Sequence, residues 1–214
     1  MLDDIVSILP QMMEPLLVTV TLFAFTLLFS LPLGLLVAFG RMSRIRPIRW
    51  IMQVYLLVMR GTPLMLQLIF FWFGLGLGSN GFTRLQTAII AFSLNYAAYF
   101  AEIYRGGIES IPIGQREAAN VLGFSKSQTF FRIIMPQVVK KILPPMGNEF
   151  MTLVKDTSLA QVIAVVEITN MASKIQVLMV SILPIVVAGI FYLLMNAIVS
   201  KGFSLAEKKL SYYR

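Results

Sequence analysis

The chain has 214 residues, 57% of them hydrophobic and only 13% charged, about half the charged share of an ordinary soluble domain; its mean hydropathy is +0.80. That balance excludes a soluble domain and marks residues 1–214 as one polytopic membrane unit. Histidine and cysteine are both absent, which excludes a disulfide framework, the usual ligands of zinc, haem and iron–sulfur centres, and the commonest general base.

Taken in chain order, the opening "MLDDIVSILPQMMEP" predicts a short interfacial helix, because it lacks the basic start and cleavage site of a signal peptide. A spanning helix needs about 20 largely apolar residues. Residues 15–40 carry no charge and predict the first span. A second uncharged run, 61–83, ends in the glycine-rich "GLGLGSNG", and places a span at about 56–77. The third is expected at 84–104. Beyond Lys140 and Lys141 the apolar pieces are each too short to cross alone, and Pro144–Pro145 interrupts helical hydrogen bonding. An interrupted span is therefore expected over 135–166, since broken backbone at membrane depth is tolerated where protein buries it or it lines a cavity. The last span is expected at 176–200, followed by the basic tail "KGFSLAEKKLSYYR" as a surface anchor. The fold class is an all-α membrane protein with five transmembrane helices.

Charge orients this bundle. Arg41, Arg44, Arg46 and Arg49 follow the first span. Arg105, Arg116, Lys126, Arg132, Lys140 and Lys141 lie around the loop before the fourth, and Lys201, Lys208, Lys209 and Arg214 follow the fifth. With five spans, 14 of the 18 basic residues share one side, while Asp3, Asp4 and Glu14 begin on the other. The positive-inside rule then puts the amino terminus outside and the carboxyl terminus in the cytoplasm. The net charge of +8 is a topology signal, with no call for nucleic acid; acidic membrane lipid is the expected neighbour of the Arg41–Arg49 cluster.

The loop at 105–134 is long, polar and capped. "GQREAANVLG" predicts a short helix beginning near Pro112 and stopped by Gly123 in a left-handed turn. Ser125 with Gln128 three residues later forms a capping-box pattern for a second helix, and Pro136 marks the start of the fourth span. A loop that merely connects two spans would explain this, and so would a helix that docks in a groove on another protein.

Glu117-Ala118-Ala119, Gly123, Ile133, Met135 and Pro136 stand at the spacing of EAA, G and I-x-L-P. The segment resembles the EAA signature of permease subunits in bacterial ABC importers, departing from it by Met135 in place of leucine. "MRGTPLMLQL", "YFAEIYRGGIESIPIGQ" and "LVKDTSLAQVI" are similar to the polar-amino-acid branch (histidine, glutamine and arginine permeases), over most of the chain. The resemblance implies the type I importer fold and a multi-pass protein of the bacterial cytoplasmic (inner) membrane. It implies a second permease copy or close homologue, a cytoplasmic ABC ATPase dimer and an extracytoplasmic amino-acid-binding protein. Glu117, Ala118, Ala119 and Gly123 would form the coupling helix that docks on the ATPase, with transport by alternating access. No G-x-x-x-x-G-K-[ST] loop is present, so the chain is expected to be no enzyme and to hold no cofactor itself, ATP and Mg being bound by the partner ATPase.

Ionisable groups at membrane depth are costly and usually functional. Asn95 and Glu102 lie seven residues apart, as do Glu149 and Asp156, two turns and hence one face of an unbroken helix. With Gln67 they make the candidate substrate-binding set. Bland readings stand beside each. Glu102 is placed for an i,i+3 pair with Arg105, Asp156 for a gating or structural role, and Glu149 for a pair with Lys155 or Arg60. The excess of acid tilts the substrate towards a basic amino acid (arginine, lysine or histidine); glutamine, glutamate or cystine is the alternative. An ion channel would need filter residues from several copies. An intramembrane enzyme would need a paired nucleophile and base, and neither reading finds its residues.

Overall fold

A computed structural model describes residues 2–210; Met1 and 211–214, with Arg214 of the basic tail, lie outside the described residues. The first helix, α1, Leu2–Arg41, runs unbroken for 40 residues, roughly 60 Å at 1.5 Å per residue. The expected interfacial helix is therefore no separate element. Three prolines sit inside α1, Pro10, Pro15 and Pro32; beside the second, the Thr19 hydroxyl donates to the Pro15 carbonyl at 3.0 Å, the kind of side-chain bond that lets proline persist in such helices.

Burial along α1 recurs at Ile8, Met12, Thr19, Leu22, Thr26, Ser30, Val37 and Ala38, one helical face. The opposite face exposes Leu17, Leu28 and Leu36. A helix apolar all round, with its small and hydroxyl side chains turned inward, is a membrane helix rather than an amphipathic one.

That inward face packs on α4, Arg84–Glu109, in the most extensive helix pairing of the fold. Gly34 makes the approach possible: a Cβ there would sit 2.9 Å from Phe100 Cβ and 3.0 Å from the Ala97 carbonyl. Along α4, Ala88, Ala91, Phe92, Tyr96, Ala97, Ala98, Phe100 and Ala101 are all buried. At 26 residues α4 has the length to cross a membrane without the apolar composition of α1 and α9. Its neighbours are protein on most sides, so its polar side chains need not face lipid.

Between these two lie α2, Arg46–Gly61, and α3, Leu64–Ile69, which continues as a π-helical turn, Phe70–Gly74. The chain bends by 106° between them. The straight span expected at 56–77 is thus two arms meeting at Thr62–Pro63.

After α5, Ile113–Val121, the short α6, Lys126–Gln128, passes through π-helical Thr129–Ile134 into α7, Met135–Asp156. Here the sequence reading is corrected. Pro144 and Pro145 lie inside a continuous α7, and the interruption begins directly after Asp156. A 3₁₀ segment, Thr157–Ile163, ends with Ala164 in the left-handed region at φ 58°, and α8, Ile168–Met179, sets off at 60° to what precedes. Val180 at φ 48° closes α8, and α9 runs Leu183–Leu210. The expected last span, 176–200, therefore straddles a turn, and the basic tail continues the helix to Leu210. Gly147 packs against the Phe203 ring, which meets Phe150 edge-on at 5.0 Å between centroids, joining α7 to α9. Of the described helices, α1 and α9 are each long and apolar enough to cross a membrane, and the two bent pairs qualify as pairs.

Candidate functional site

The bend between α2 and α3 follows from Pro63. Its missing N–H strips the Met59 carbonyl of its helical partner four residues on. Two amides take the vacated position. Asn95 Nδ2 donates to the Met59 carbonyl at 2.8 Å and to Gln67 Oε1 at 3.0 Å. Gln67 Nε2 donates to the same carbonyl at 3.0 Å and to Thr62 Oγ1 at 2.8 Å. Both side chains are buried. The sequence-predicted pair Asn95 and Gln67 is thus brought together, and its hydrogen bonds hold the bend against α4.

On the next residue of α4 the chemistry turns acidic. The Tyr96 hydroxyl donates to Asp156 Oδ2 at 2.8 Å, tying α4 to the last residue of α7. Two turns earlier on α7, half-buried Glu149 makes no hydrogen bond or ion pair among the described residues. It feels the charges of Asp156 and Arg60. Arg60, beside the bend, lies over the Tyr99 ring at 5.3 Å and 3.8 Å from Glu102. Glu102 is held mainly by Arg105, whose Nε and Nη2 donate to its two carboxylate oxygens at 3.1 and 2.6 Å, and Arg105 bridges on to Glu109. Of the five predicted residues, then, Glu102 is held by arginine, and Asn95 and Gln67 by each other and the backbone. Asp156 is engaged by one phenol at one oxygen and keeps further acceptor capacity, and Glu149 has no fixed donor among the described residues.

At the other end of α4 and α7 lies the capped loop. The box forms as its spacing implies: Gln128 N donates to Ser125 Oγ at 3.2 Å, and Ser125 N to Gln128 Oε1 at 2.8 Å. Gly123 turns at φ 78°. In α5, Ala119 is buried while Glu117 and Ala118 are exposed. Large apolar side chains flank them in the open: Ile113 at 71%, Val121 at 88% and Leu122 at 74% exposure. A short helix with one small buried residue and an apolar exposed surface is shaped to lie against another protein.

One buried acid escaped the sequence reading. Glu167, fully buried, caps α8 by accepting from Thr169 N at 2.8 Å and Asn170 N at 2.6 Å, and from the Tyr192 hydroxyl at 3.0 Å. Beside it, Ile168 N donates to Thr19 Oγ1 of α1. The backbone donors lie two and three residues on, but Tyr192 is 25 residues away and the Ile168–Thr19 bond joins positions 149 apart, so the burial of this cap is not announced locally.

Residues 30–212 match the family described as binding-protein-dependent transport system inner membrane component. The chain belongs to that family. It is 41% identical over 157 residues to the L-cystine transport system permease protein TcyB of Bacillus subtilis (73% of this chain, 67% of that one). It is 35% identical over 216 residues to the nopaline transport system permease protein NocM of Agrobacterium fabrum (95% and 89%). Its fold superposes with a TM-score of 0.88, at 32% identity and over 96% and 97% of the two chains, on a chain from a crystal structure of an amino acid ABC transporter with histidines. The all-α type I permease fold and the multi-pass location in the bacterial inner membrane follow. This permease is the transport subunit of an amino-acid ABC importer and not itself an enzyme. The relatives named here differ in substrate, so likeness alone leaves the amino acid undecided.

Proposed function

We propose that this permease moves basic amino acids (arginine, lysine or histidine) inward across the membrane, with Glu149 and Asp156 receiving the cationic groups of the substrate. The observation that carries this is Glu149: a half-buried carboxylate with no hydrogen bond or ion pair among the described residues, next to a second acid that has one. A charge taken from water needs partners in its new site, and a guanidinium or ammonium supplies them to both sides at once. Asn95 and Gln67 set the wall of the site through the bend. Glu102 holds Arg105 closely and Arg60 loosely, at 3.8 Å, so Arg60 is the cation at the rim, where a substrate carboxylate arrives.

Five spans with the amino terminus outside suit the distribution of basic residues. The working unit is this permease with a second copy or close homologue, a cytoplasmic ATPase dimer that binds ATP and Mg, and an extracytoplasmic amino-acid-binding protein. The exposed apolar surface of α5, around Glu117, Ala118, Ala119 and Gly123, supports its role as the ATPase contact, and the whole chain, 1–214, acts as one domain. The likeness to a cystine permease favours a second reading, in which a substrate with no side-chain cation uses Glu149 for its α-ammonium alone; a glutamine or glutamate substrate belongs to the same reading.

Replacing Glu149→Gln tests the first. Uptake of arginine, lysine or histidine by the reconstituted complex should be abolished, and unchanged uptake and selectivity would overturn the assignment.

A further inference from the structure

A second polar site lies away from the acids, in a cavity of about 640 Å³ between α5 and the start of α7. Arg132, Lys140 and Lys141 reach it, and Ile133, Pro136 and Pro144 form its apolar part, with Gln115 of α5 on the far side. No carboxylate is among these lining groups, and none of the three cations forms an ion pair among the described residues. Lys141 Nζ donates to the Ser110 carbonyl at 2.8 Å. That bond pins its side chain to the end of α4 and leaves further N–H donors on the ammonium.

Three like charges beside an apolar wall repel one another, and the wall excludes some of the water that would screen them. The cavity is complementary to a molecule that is anionic at one end and apolar at the other. A soluble phosphate would answer the charges and leave the apolar groups wet. An acidic protein segment would have to enter at the point where the chain passes into the membrane. We propose that this cavity holds the headgroup and first acyl carbons of an anionic phospholipid from the cytoplasmic leaflet, wedged between the coupling helix and α7. The leaflet rests on the orientation proposed above; the cavity and its charges do not. Basic pockets between helices on this side of a membrane recognise such headgroups. The site is separate from the Arg41–Arg49 segment, whose exposed arginines line no part of this cavity. A lipid seated there would stiffen the joint between the ATPase contact and the helix that carries Glu149.

Native mass spectrometry of the purified permease–ATPase complex in detergent, titrated with phosphatidylglycerol and in parallel with phosphatidylcholine, reads the binding directly. Neither the orientation nor the transported amino acid enters that measurement. Tight retention of phosphatidylglycerol over phosphatidylcholine is expected. It should weaken about fivefold for each cation removed in Arg132→Gln/Lys140→Gln, a pair that leaves the Lys141–Ser110 bond intact, and stay unchanged in Lys174→Gln, an exposed cation that lines no part of the cavity. Equal retention of both lipids would overturn the proposal. So would inorganic phosphate displacing the lipid at millimolar concentration, which would make the ligand a free anion. Loss of the ATPase subunit from the Arg132→Gln/Lys140→Gln complex at unchanged lipid retention would assign the surface to the ATPase instead.

Discussion

Glu149 and Glu167 are both carboxylates at the interior of a membrane bundle, and their surroundings are opposite. Glu167 is fully buried and accepts from two backbone N–H groups at the start of α8 and from a tyrosine on α9. Its charge is compensated by donors that cannot leave. Glu149 sits half-buried on α7 with no fixed donor among the described residues, near Arg60 and Asp156. An interior acid whose lone pairs are all answered by its own fold is structural, because any movement would orphan buried groups. An acid left open at similar depth is there for something that comes and goes. Glu149 is the less buried of the two, but it is the count of fixed partners that assigns their roles.

The comparison breaks most visibly at Glu167. Glu167→Ala leaves two backbone N–H groups unpaired and takes one of two partners from the Tyr192 phenol, which keeps the Thr169 hydroxyl; it should cost about 3 kcal/mol, read as a large fall in the melting temperature of the purified permease or as failure to accumulate in the membrane. An unaltered melting temperature would remove Glu167 from the structural side. Glu149→Gln should do the reverse, leaving the melting temperature within the effect of an ordinary surface change, about 0.5 kcal/mol, while substrate no longer stimulates the assembled complex. Asn95→Leu comes next. It removes one of the two amides that answer the Met59 carbonyl, and about 1–3 kcal/mol of stability should go with it. A lesser loss would mean that Gln67 suffices for the bend. The smallest effect is expected at Ser125→Ala, where losing the cap of α6 should cost about 1 kcal/mol and lower the coupling of ATP hydrolysis to uptake without altering which amino acid is taken.

What was legible in the sequence is what depends on neighbours along the chain. Ser125 and Gln128, the Gly123 turn and the Glu102–Arg105 pair all lie within one turn or so, and each stands where its spacing implied. Pro144–Pro145 misled because a break is decided by the balance between a lost hydrogen bond and tertiary packing. Here Gly147 against Phe203 and Val138 against the face of Gly107 keep α7 helical. The true interruption, at Thr157–Glu167, contains no glycine or proline and turns through Ala164. The candidate acids were found by composition at depth. Their sorting into open and engaged needed distant partners such as Tyr96, 60 residues from Asp156, which no periodicity carries.

The most direct measurement is ATP hydrolysis by the reconstituted permease–ATPase complex with its binding protein, against a panel of amino acids. Stimulation by arginine, lysine or histidine alone is the expected result, since only these bring a side-chain cation to Glu149 and Asp156. Stimulation by glutamine, glutamate or cystine in their place would contradict it, and would leave Glu149 no more than the substrate's α-ammonium to receive.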